Sequence, residues 1–409
     1  MSARRRLRVC GVVGALALAA CSSPTAESEG PSPEPAPSST ELFDIAERDP
    51  LPFPGYDIDR VTIAPLPPQP GDSQPPLLTG WAAFDASISS SVLGGGSDAV
   101  SVAVSVDGEI VHEAALGARV PDTFDAVDTG DKFRIASISK PITAITALQL
   151  VEDGAVGLDE PIGGLVGEAV GVSAPSAGVA GLTVRRLLTH TSGFAQYESL
   201  FFRNQVGSCE EAATVGLTRS LQGQGFRYSN MNYCVLGLLI EQLTGQSYEE
   251  VVYERLLTPL GISGMRLAPT YDPGPGEVVH RSVPGRNYME VLGAAGAWVA
   301  SPRDIVTIFD SLDPWTPGWK PLDPGTVAEM KSAVNDPFSP DRGYGMGLIL
   351  YGGGAAGHTG TVESTHAMVL DRADNVTWAV TVSGENPSES VRLAAIVDRA
   401  LEAGGFVPG

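Results

Sequence analysis

Histidine, cysteine and lysine are scarce in this 409-residue chain, which has five, four and four of them. The histidines and cysteines show none of the close spacing that binds zinc, so the sequence gives no support for a metal site, and we expect no cofactor. Positive charge is also limited, because 26 lysines and arginines face 48 acidic residues, for a formal net charge of -22. Such an acidic surface makes nucleic acid a poor partner.

Apolar runs long enough to span a membrane as a helix are absent as well. The N-terminus has four arginines between residues 4 and 8 and then a shorter apolar run over residues 9–20, which is typical of a secretion signal. The small residues before Cys21 resemble a bacterial lipobox, in which that cysteine receives diacylglycerol. We therefore predict a lipoprotein signal peptide over residues 1–20 and an extracytoplasmic protein anchored to the cell membrane through Cys21. An ordinary cleaved signal peptide is the alternative.

Two cysteines remain for the folded part of the chain, since Cys10 would leave with the signal peptide and Cys21 would carry the lipid. In an oxidising compartment, Cys209 and Cys234 are expected to form a disulfide. Two buried free thiols are the alternative.

Composition divides the mature chain into two regions. Residues 21–80 are dominated by proline, serine and other small or polar residues, which bury too little apolar surface to offset the entropy of ordering, so we predict a lipidated tether. Within it, residues 42–65 carry several apolar side chains and either lie against the folded body or remain free of it. Residues 81–405 have the composition of a globular domain.

Strand patterns lie near both ends of this domain. Alternating stretches over Ala99–Val106 and Glu109–Gly117 predict one β-hairpin, and residues 366–370 and 377–382 predict a second.

Helical patterns fill the region between the hairpins, with apolar residues at helical spacing over residues 142–151 and 235–243. Strands at both ends and helices between them indicate an α+β fold. In this fold, both chain ends build one antiparallel sheet, which helices flank, and a helical insertion separates the two ends.

A serine and a lysine stand at the start of the first predicted helix, in the segment Ser137-Ile138-Ser139-Lys140. Their separation puts both side chains on one face of a helical turn, so the amine can reach the hydroxyl. The positive end of the helix dipole favours negative charge on the serine oxygen. Unlike arginine, a buried lysine can lose its proton, so Lys140 is a candidate base for a serine nucleophile. A chance S-x-x-K in a serine-rich chain is the alternative.

Tyr228-Ser229-Asn230 precedes the second predicted helix. A tyrosine whose pKa is lowered by a nearby ammonium can act as a general base, and Asn230 can donate to a substrate amide carbonyl. The alternative is an ordinary helix start with Ser229 or Asn230 as its cap.

His358-Thr359-Gly360 lies near the start of a predicted C-terminal strand. Gly360 would let a substrate backbone approach the strand edge, and the backbone N–H groups of Thr361 and Ser137 could form an oxyanion hole. The alternative is a turn before a strand with a surface histidine.

In order and spacing, these three segments resemble the S-x-x-K, Y-x-N and H-x-G motifs of the penicillin-recognising serine hydrolases, which include class C β-lactamases, D-alanyl-D-alanine carboxypeptidases and related esterases. The resemblance covers residues 84–401 and extends to flanking segments at 133–137, 187–193, 236–241, 293–301 and 344–347. It implies a nucleophile, a proton-transfer pair and a set of substrate-binding residues: Ser137; Lys140 and Tyr228; Asn230, His358, Thr359, Gly360 and Thr361. Which of Lys140 and Tyr228 is the base stays open, and His190 is interpreted as a structural residue below the site.

The H-T-G sequence resembles the carboxypeptidase branch, because β-lactamases more often have K-T-G. Carboxypeptidases of this type hold the substrate's terminal carboxylate with an arginine, and Ile349 stands at the matching position, where it cannot form a bidentate pair. Arg342 or another arginine could substitute for that arginine, but the sequence does not place it.

Three functions follow from these observations. A peptidoglycan carboxypeptidase of the penicillin-binding type is favoured over an esterase, amidase or β-lactamase of the same fold, and over a non-catalytic cell-envelope binding protein. The expected partners are therefore a small acyl substrate or a peptidoglycan stem peptide. Residues 196–227, with Tyr197, Phe201 and Phe202, are expected to form part of the pocket wall.

Overall fold

The computed structural model describes residues 80–223, 225–334 and 342–406. The predicted signal peptide, the lipidation site Cys21 and all but the last residue of the predicted tether lie outside these ranges. Among the helices of the described ranges, none is long and apolar enough to cross a membrane.

Ten strands form two antiparallel sheets in the described part of the chain. They are β1 (Ala99–Val106), β2 (Glu109–Gly117), β3 (Phe133–Arg134), β4 (Arg266–Leu267), β5 (Trp298–Ala300), β6 (Arg342–Tyr344), β7 (Ile349–Tyr351), β8 (Ala356–Val362), β9 (Thr365–Asp371) and β10 (Val376–Ser383). The large sheet has the order β2-β1-β10-β9-β8-β7-β6, and the small one has the order β3-β5-β4. Strands from both ends of the domain therefore meet at the centre of one sheet, where β1 pairs with β10.

Thirteen α-helices surround these sheets in the described ranges. They are α1 (Trp81–Val92), α2 (Ser139–Glu152), α3 (Gly163–Ala169), α4 (Ala177–Ala180), α5 (Val184–Leu188), α6 (Glu198–Phe202), α7 (Cys209–Thr218), α8 (Asn230–Thr244), α9 (Tyr248–Val252), α10 (Tyr288–Leu292), α11 (Pro302–Asp310), α12 (Pro324–Met330) and α13 (Arg392–Ala403). Those between β3 and β6 form the predicted helical insertion.

The two faces of the large sheet contribute to different hydrophobic clusters, as the period of two in a strand requires. Val102 and Trp378 lie on one face, in a cluster with side chains of α1 and α13. Ala103 and Ala379 lie on the other face, in the cluster that also contains α2 and α8. Apolar residues therefore occur at nearly every position of the central strands. The fold is the predicted α+β arrangement.

Helix α2 lies at the centre of the insertion and is buried on almost every side, from Ser139 to Leu150. A helix that is buried all round loses the polar face of a surface helix. Its N-terminal end meets strand β8, and the predicted catalytic residues gather at this junction.

Candidate active site

Ser137 lies in a 3-10 turn, Ala136–Ile138, immediately before α2. The α-helix was predicted to begin at Ser137. In the structure it begins two residues later, at Ser139. The residue before it, Ala136, has a φ of 46°, which is uncommon for a residue other than glycine. Backbone strain of this kind often occurs at functional sites, and here it lies directly before the half-buried serine.

Gly360 allows β8 to pass close to this turn. A Cβ atom at that position would lie 2.1 Å from the carbonyl oxygen of Ile135, a distance that no side chain can accommodate. The glycine was expected to admit a substrate backbone. In the structure, glycine is required at this position because the chain's own backbone, at Ile135 beside Ser137, leaves no room for a side chain.

Lys140 is fully buried one helical turn after Ser137, with 0% of its surface exposed. Its Nζ donates to Ser137 Oγ at 2.9 Å, to Asn230 Oδ1 at 2.8 Å and to the carbonyl oxygen of Ala295 at 2.8 Å. Burial lowers the pKa of Lys140 well below its usual value, and the charge of Glu198 opposes this shift. When the amine loses its proton, its lone pair is already within hydrogen-bond distance of the serine hydroxyl.

The Tyr228-Ser229-Asn230 segment brings two further predicted residues to the same point. The ring centroid of Tyr228 is 4.9 Å from Lys140 Nζ, within the range of a cation–π contact. Asn230 is the first residue of α8, and its side-chain oxygen accepts from Lys140, which leaves the amide Nδ2 to donate to a substrate carbonyl. Ser229 caps α8 by accepting from the N–H of Met231. The segment is therefore both a helix start and part of the site.

His358 lies inside the protein, with 1% of its surface exposed. Its Nδ1 donates to the carbonyl oxygen of Thr359 at 2.6 Å, and its Nε2 accepts from Tyr344 Oη at 3.2 Å. Burial, aided by the charge of Lys140, lowers the pKa of His358 to about 3, so the ring is neutral at pH 7. Both ring nitrogens form hydrogen bonds within the protein, so His358 stabilises strand β8 from the interior side.

Strand β8 presents a backbone edge next to Ser137. It pairs with β9 over its whole length but with β7 only at Ala356 and Gly357. Beyond Gly357, the second edge of β8 lies along the turn that holds Ser137. Thr359 is half-buried and Thr361 is exposed at this edge, where an extended substrate can add as a further strand.

Ser390 and Tyr344 support the site but were not assigned a role from the sequence. Ser390 Oγ donates to the carbonyl oxygen of Gly360 at 2.6 Å and lies 2.6 Å from Thr361 Oγ1. Nothing in the sequence around Ser390 forms a motif with β8, so only the fold reveals this contact. Tyr344 lies in a flanking segment of the resemblance, which gave a signal for its position but not for its bond to His358.

The predicted disulfide is present and joins Cys209, at the start of α7, to Cys234 in α8. The Cys209 side chain also borders Gly293, since a Cβ atom there would lie 3.3 Å from Cys209 Cβ. Two residues later, Ala295 supplies the carbonyl oxygen that accepts from Lys140. The disulfide therefore lies behind the elements that position Asn230 and Lys140.

Two of the three aromatic residues in the predicted pocket wall are buried. Tyr197 and Phe201 are 3% and 0% exposed and belong to the hydrophobic core. Phe202 is half-buried, and Glu198 is the exposed residue of α6. The sequence shows aromatic residues here but not that Tyr197 and Phe201 pack into the core.

The position expected to bind a substrate carboxylate carries an apolar side chain. Ile349 is buried in β7, where it pairs with Tyr344 and Gly357. Arg342 lies on β6 opposite Tyr351, at the end of the hairpin away from the Tyr344–Ile349 pair.

Comparisons with known proteins agree with this geometry. A family model described as Beta-lactamase matches residues 84–403. Penicillin-binding protein 4* of Bacillus subtilis (strain 168) is 27% identical over 39% of this chain and 36% of that protein. Penicillin-binding protein 4 of Amycolatopsis lactamdurans is 33% identical over 40% of this chain and 42% of that protein, so each match spans less than half of the relative. The solved structure of D-amino acid amidase from Ochrobactrum anthropi SV3 is 26% identical, with a TM-score of 0.63 over 78% of this chain and 99% of the amidase.

Proposed function

Because the chain belongs to the Beta-lactamase family, we propose that it is a serine hydrolase that cleaves amide and ester bonds of small acyl substrates through an acyl-enzyme on Ser137. The observation that carries this proposal is the position of Lys140 Nζ, buried and 2.9 Å from Ser137 Oγ. A serine hydroxyl is a weak nucleophile until a neighbouring base removes its proton, and a desolvated amine is such a base.

The reaction proceeds in two acyl-transfer steps. Lys140 accepts the proton of Ser137 as the serine oxygen attacks the substrate carbonyl carbon, and backbone N–H groups of Ser137 and Thr361 stabilise the oxyanion. The pair Lys140 and Tyr228 then delivers a proton to the leaving nitrogen or oxygen as the bond to carbon breaks. Water, deprotonated by the same pair, attacks the acyl-enzyme and releases the acid. Asn230 Nδ2 donates to an amide carbonyl of the substrate.

The substrate class follows from what surrounds the site. Ile349 offers no charge-assisted partner for a terminal carboxylate, so a substrate that ends in an amide or ester is accepted as well as one that ends in a free acid. The likeness to D-amino acid amidase over nearly the whole length of that enzyme supports an amidase.

A D-alanyl-D-alanine carboxypeptidase is the second candidate. It is supported by the H-T-G sequence of His358-Thr359-Gly360 and by the partial matches to two penicillin-binding proteins. Its substrate would be a peptidoglycan stem peptide, which agrees with the proposed location outside the cytoplasm on a lipid attached to Cys21.

A comparison of three substrates tests this proposal. We expect kcat/KM for a peptide ending in D-Ala-D-Ala to lie within about tenfold of that for its C-terminal amide, with a D-amino acid amide cleaved at least as well. Ser137→Ala should abolish all three activities. A preference for the free acid above about a hundredfold would show that another cation binds the carboxylate, and the carboxypeptidase would then be the function.

A further inference from the structure

His190 forms hydrogen bonds on both sides of Tyr228. Its backbone carbonyl oxygen accepts from the N–H of Arg227 at 2.8 Å, and its ring Nδ1 accepts from the N–H of Ser229 at 3.2 Å. One residue therefore binds the backbone immediately before and immediately after the tyrosine.

The hydrogen-bond pattern fixes the tautomer of His190. Ser192 Oγ donates to Asn232 Oδ1 at 2.5 Å, so the Asn232 amide Nδ2 faces His190 Nδ1 and donates to it at 2.7 Å. Because Nδ1 accepts from Asn232 and from Ser229, it carries no proton, and the neutral ring has its proton on Nε2. Burial, aided by the charge of Lys140, lowers the pKa of His190 well below its usual value, so the ring stays neutral.

The imidazole ring also lies against the ring of Tyr228. The two centroids are 4.4 Å apart, and those of Tyr344 and Tyr233 lie 4.9 and 5.2 Å from His190. His190 is 0% exposed, and its Nε2 has no hydrogen-bond partner among the described residues. The contacts that the structure shows for His190 therefore act on the position of the tyrosine.

The backbone of His190 is adapted to this arrangement, with a φ of 56°. Positive φ is several-fold more frequent for asparagine and histidine than for most residues. Few side chains combine tolerance of this conformation with an acceptor that can reach Ser229 and Asn232.

We propose that His190 is a positioning residue that holds Tyr228 against Lys140 through the paired bonds to Arg227 and Ser229 and through ring contact. This inference rests on the proposed function, in which Tyr228 transfers protons during acylation. It assigns His190 a role in the rate of acylation in addition to the structural role indicated by the sequence.

Two substitutions distinguish the effect of the Nδ1 hydrogen-bond acceptor from the effect of the imidazole ring. His190→Asn removes the ring but keeps an oxygen near the place of Nδ1 and tolerates positive φ, whereas His190→Ala removes both. Ile396→Ala, in α13 on the opposite face of the sheet, is the control for lost core packing alone. Acylation by a fluorescent penicillin and hydrolysis of p-nitrophenyl acetate are measured per folded molecule, with the melting temperature of each variant.

We expect His190→Ala to acylate about 10- to 100-fold more slowly than the parent, because two donors lose their acceptor. His190→Asn should recover at least half of that loss on a logarithmic scale, and Ile396→Ala should acylate normally. The proposal is overturned if His190→Ala acylates at the parent rate, or if the rates of all three variants only follow their melting temperatures. Should His190→Ala not fold, His190→Phe replaces it, since it also lacks the acceptor.

A second measurement, which does not depend on turnover, tests the role of His190 separately from the proposed hydrolase function. In protein labelled with ¹³C-tyrosine, the signal of Tyr228 is assigned with Tyr228→Phe and titrated against pH. Its titration should shift in His190→Ala and not in Ile396→Ala, and an unchanged titration overturns the role of His190. If the parent protein forms no acyl-enzyme, the proposed function fails, while this titration still decides whether His190 positions Tyr228.

Discussion

At the scale of single residues, the chemistry depends on the environment of one lysine. Lys140 Nζ has three oxygen acceptors and no carboxylate among the partners that its hydrogen bonds identify. Neutral oxygens stabilise an ammonium less than an ion pair does, so burial outweighs them and lowers the pKa of the amine. A guanidinium in the same place would remain charged.

Lys140→Arg is therefore expected to be nearly as damaging as Lys140→Ala, with a loss of about 10²–10⁴ in kcat/KM for both. The measurement is the acylation rate of the two variants beside the parent. Lys331→Arg is the matched control, because Lys331 forms an ion pair with Asp371 that an arginine can keep. If Lys140→Arg kept most of the activity, Lys140 would supply charge and not carry a proton.

The sequence was sufficient to find the residues that meet in the site, because each lies in a short motif. Ser137, Lys140, Tyr228 and Asn230 converge as the resemblance implied. The support from Ser390 could not be found in this way. Its partner lies 30 residues earlier in β8, and a single serine in a loop gives no signal until the fold brings the two together.

At the scale of secondary-structure elements, a disulfide joins the start of α7 to the second turn of α8 behind the site. The disulfide between Cys209 and Cys234 closes a loop across 25 residues. This loop includes Tyr228 and Asn230, so the bond restricts the part of the unfolded chain that must order to build the site.

Replacing both cysteines with alanine is expected to lower the free energy of unfolding by at most about 3.5 kcal/mol, from the entropy of loop closure. Denaturant titration with and without reductant measures this change in the free energy of unfolding. The parent should lose stability when reduced, and the double variant should not respond. Two free thiols in the oxidised parent would contradict the pairing.

Helix α11 ends in a buried carboxyl group, Asp310, with an exposed fraction of 8%. Burial raises its pKa to about 6, although hydrogen bonds from Thr377 and Ser105 oppose the shift. Because the folded pKa lies above the usual value of 3.8, the folded state retains a proton that the unfolded state releases between pH 4 and 6. Asp310 therefore costs stability as pH rises through this window.

Asp310→Asn should raise the free energy of unfolding at pH 7 by up to about 3 kcal/mol, and by about 2 kcal/mol less at pH 4.5. Denaturant titration at both pH values provides the comparison. An asparagine variant that is less stable at pH 7, or equally stabilised at both, would refute the assignment.

Long elements were predicted from sequence better than short ones. β1 and β2 have the predicted bounds, since valine recurs at every second position of β1 and Asp107-Gly108 marks the turn between the two strands. β6 and β7 were missed because three residues show no period. The small sheet escaped prediction for the same reason, as its strands are ordered by tertiary contacts.

At the scale of the whole molecule, the site exists because the two ends of the domain share one sheet. β1 and β2 come before the insertion and β6–β10 after it, and β8 closes against the turn that leads into α2. This topology was predictable from hairpins at both ends of the domain. The lipid on Cys21 stays a prediction, and it would hold the site outside the cytoplasm. None of the helices in the described residues is able to span a membrane.

Locating the acyl group directly tests the central claim that Ser137 is the nucleophile. The protein is incubated with a labelled penicillin, digested and analysed by tandem mass spectrometry. The account predicts one adduct on Ser137, no adduct in Ser137→Ala, and a loss of about 10⁶ in turnover for that variant. An adduct on another residue, or turnover retained by Ser137→Ala, would contradict it.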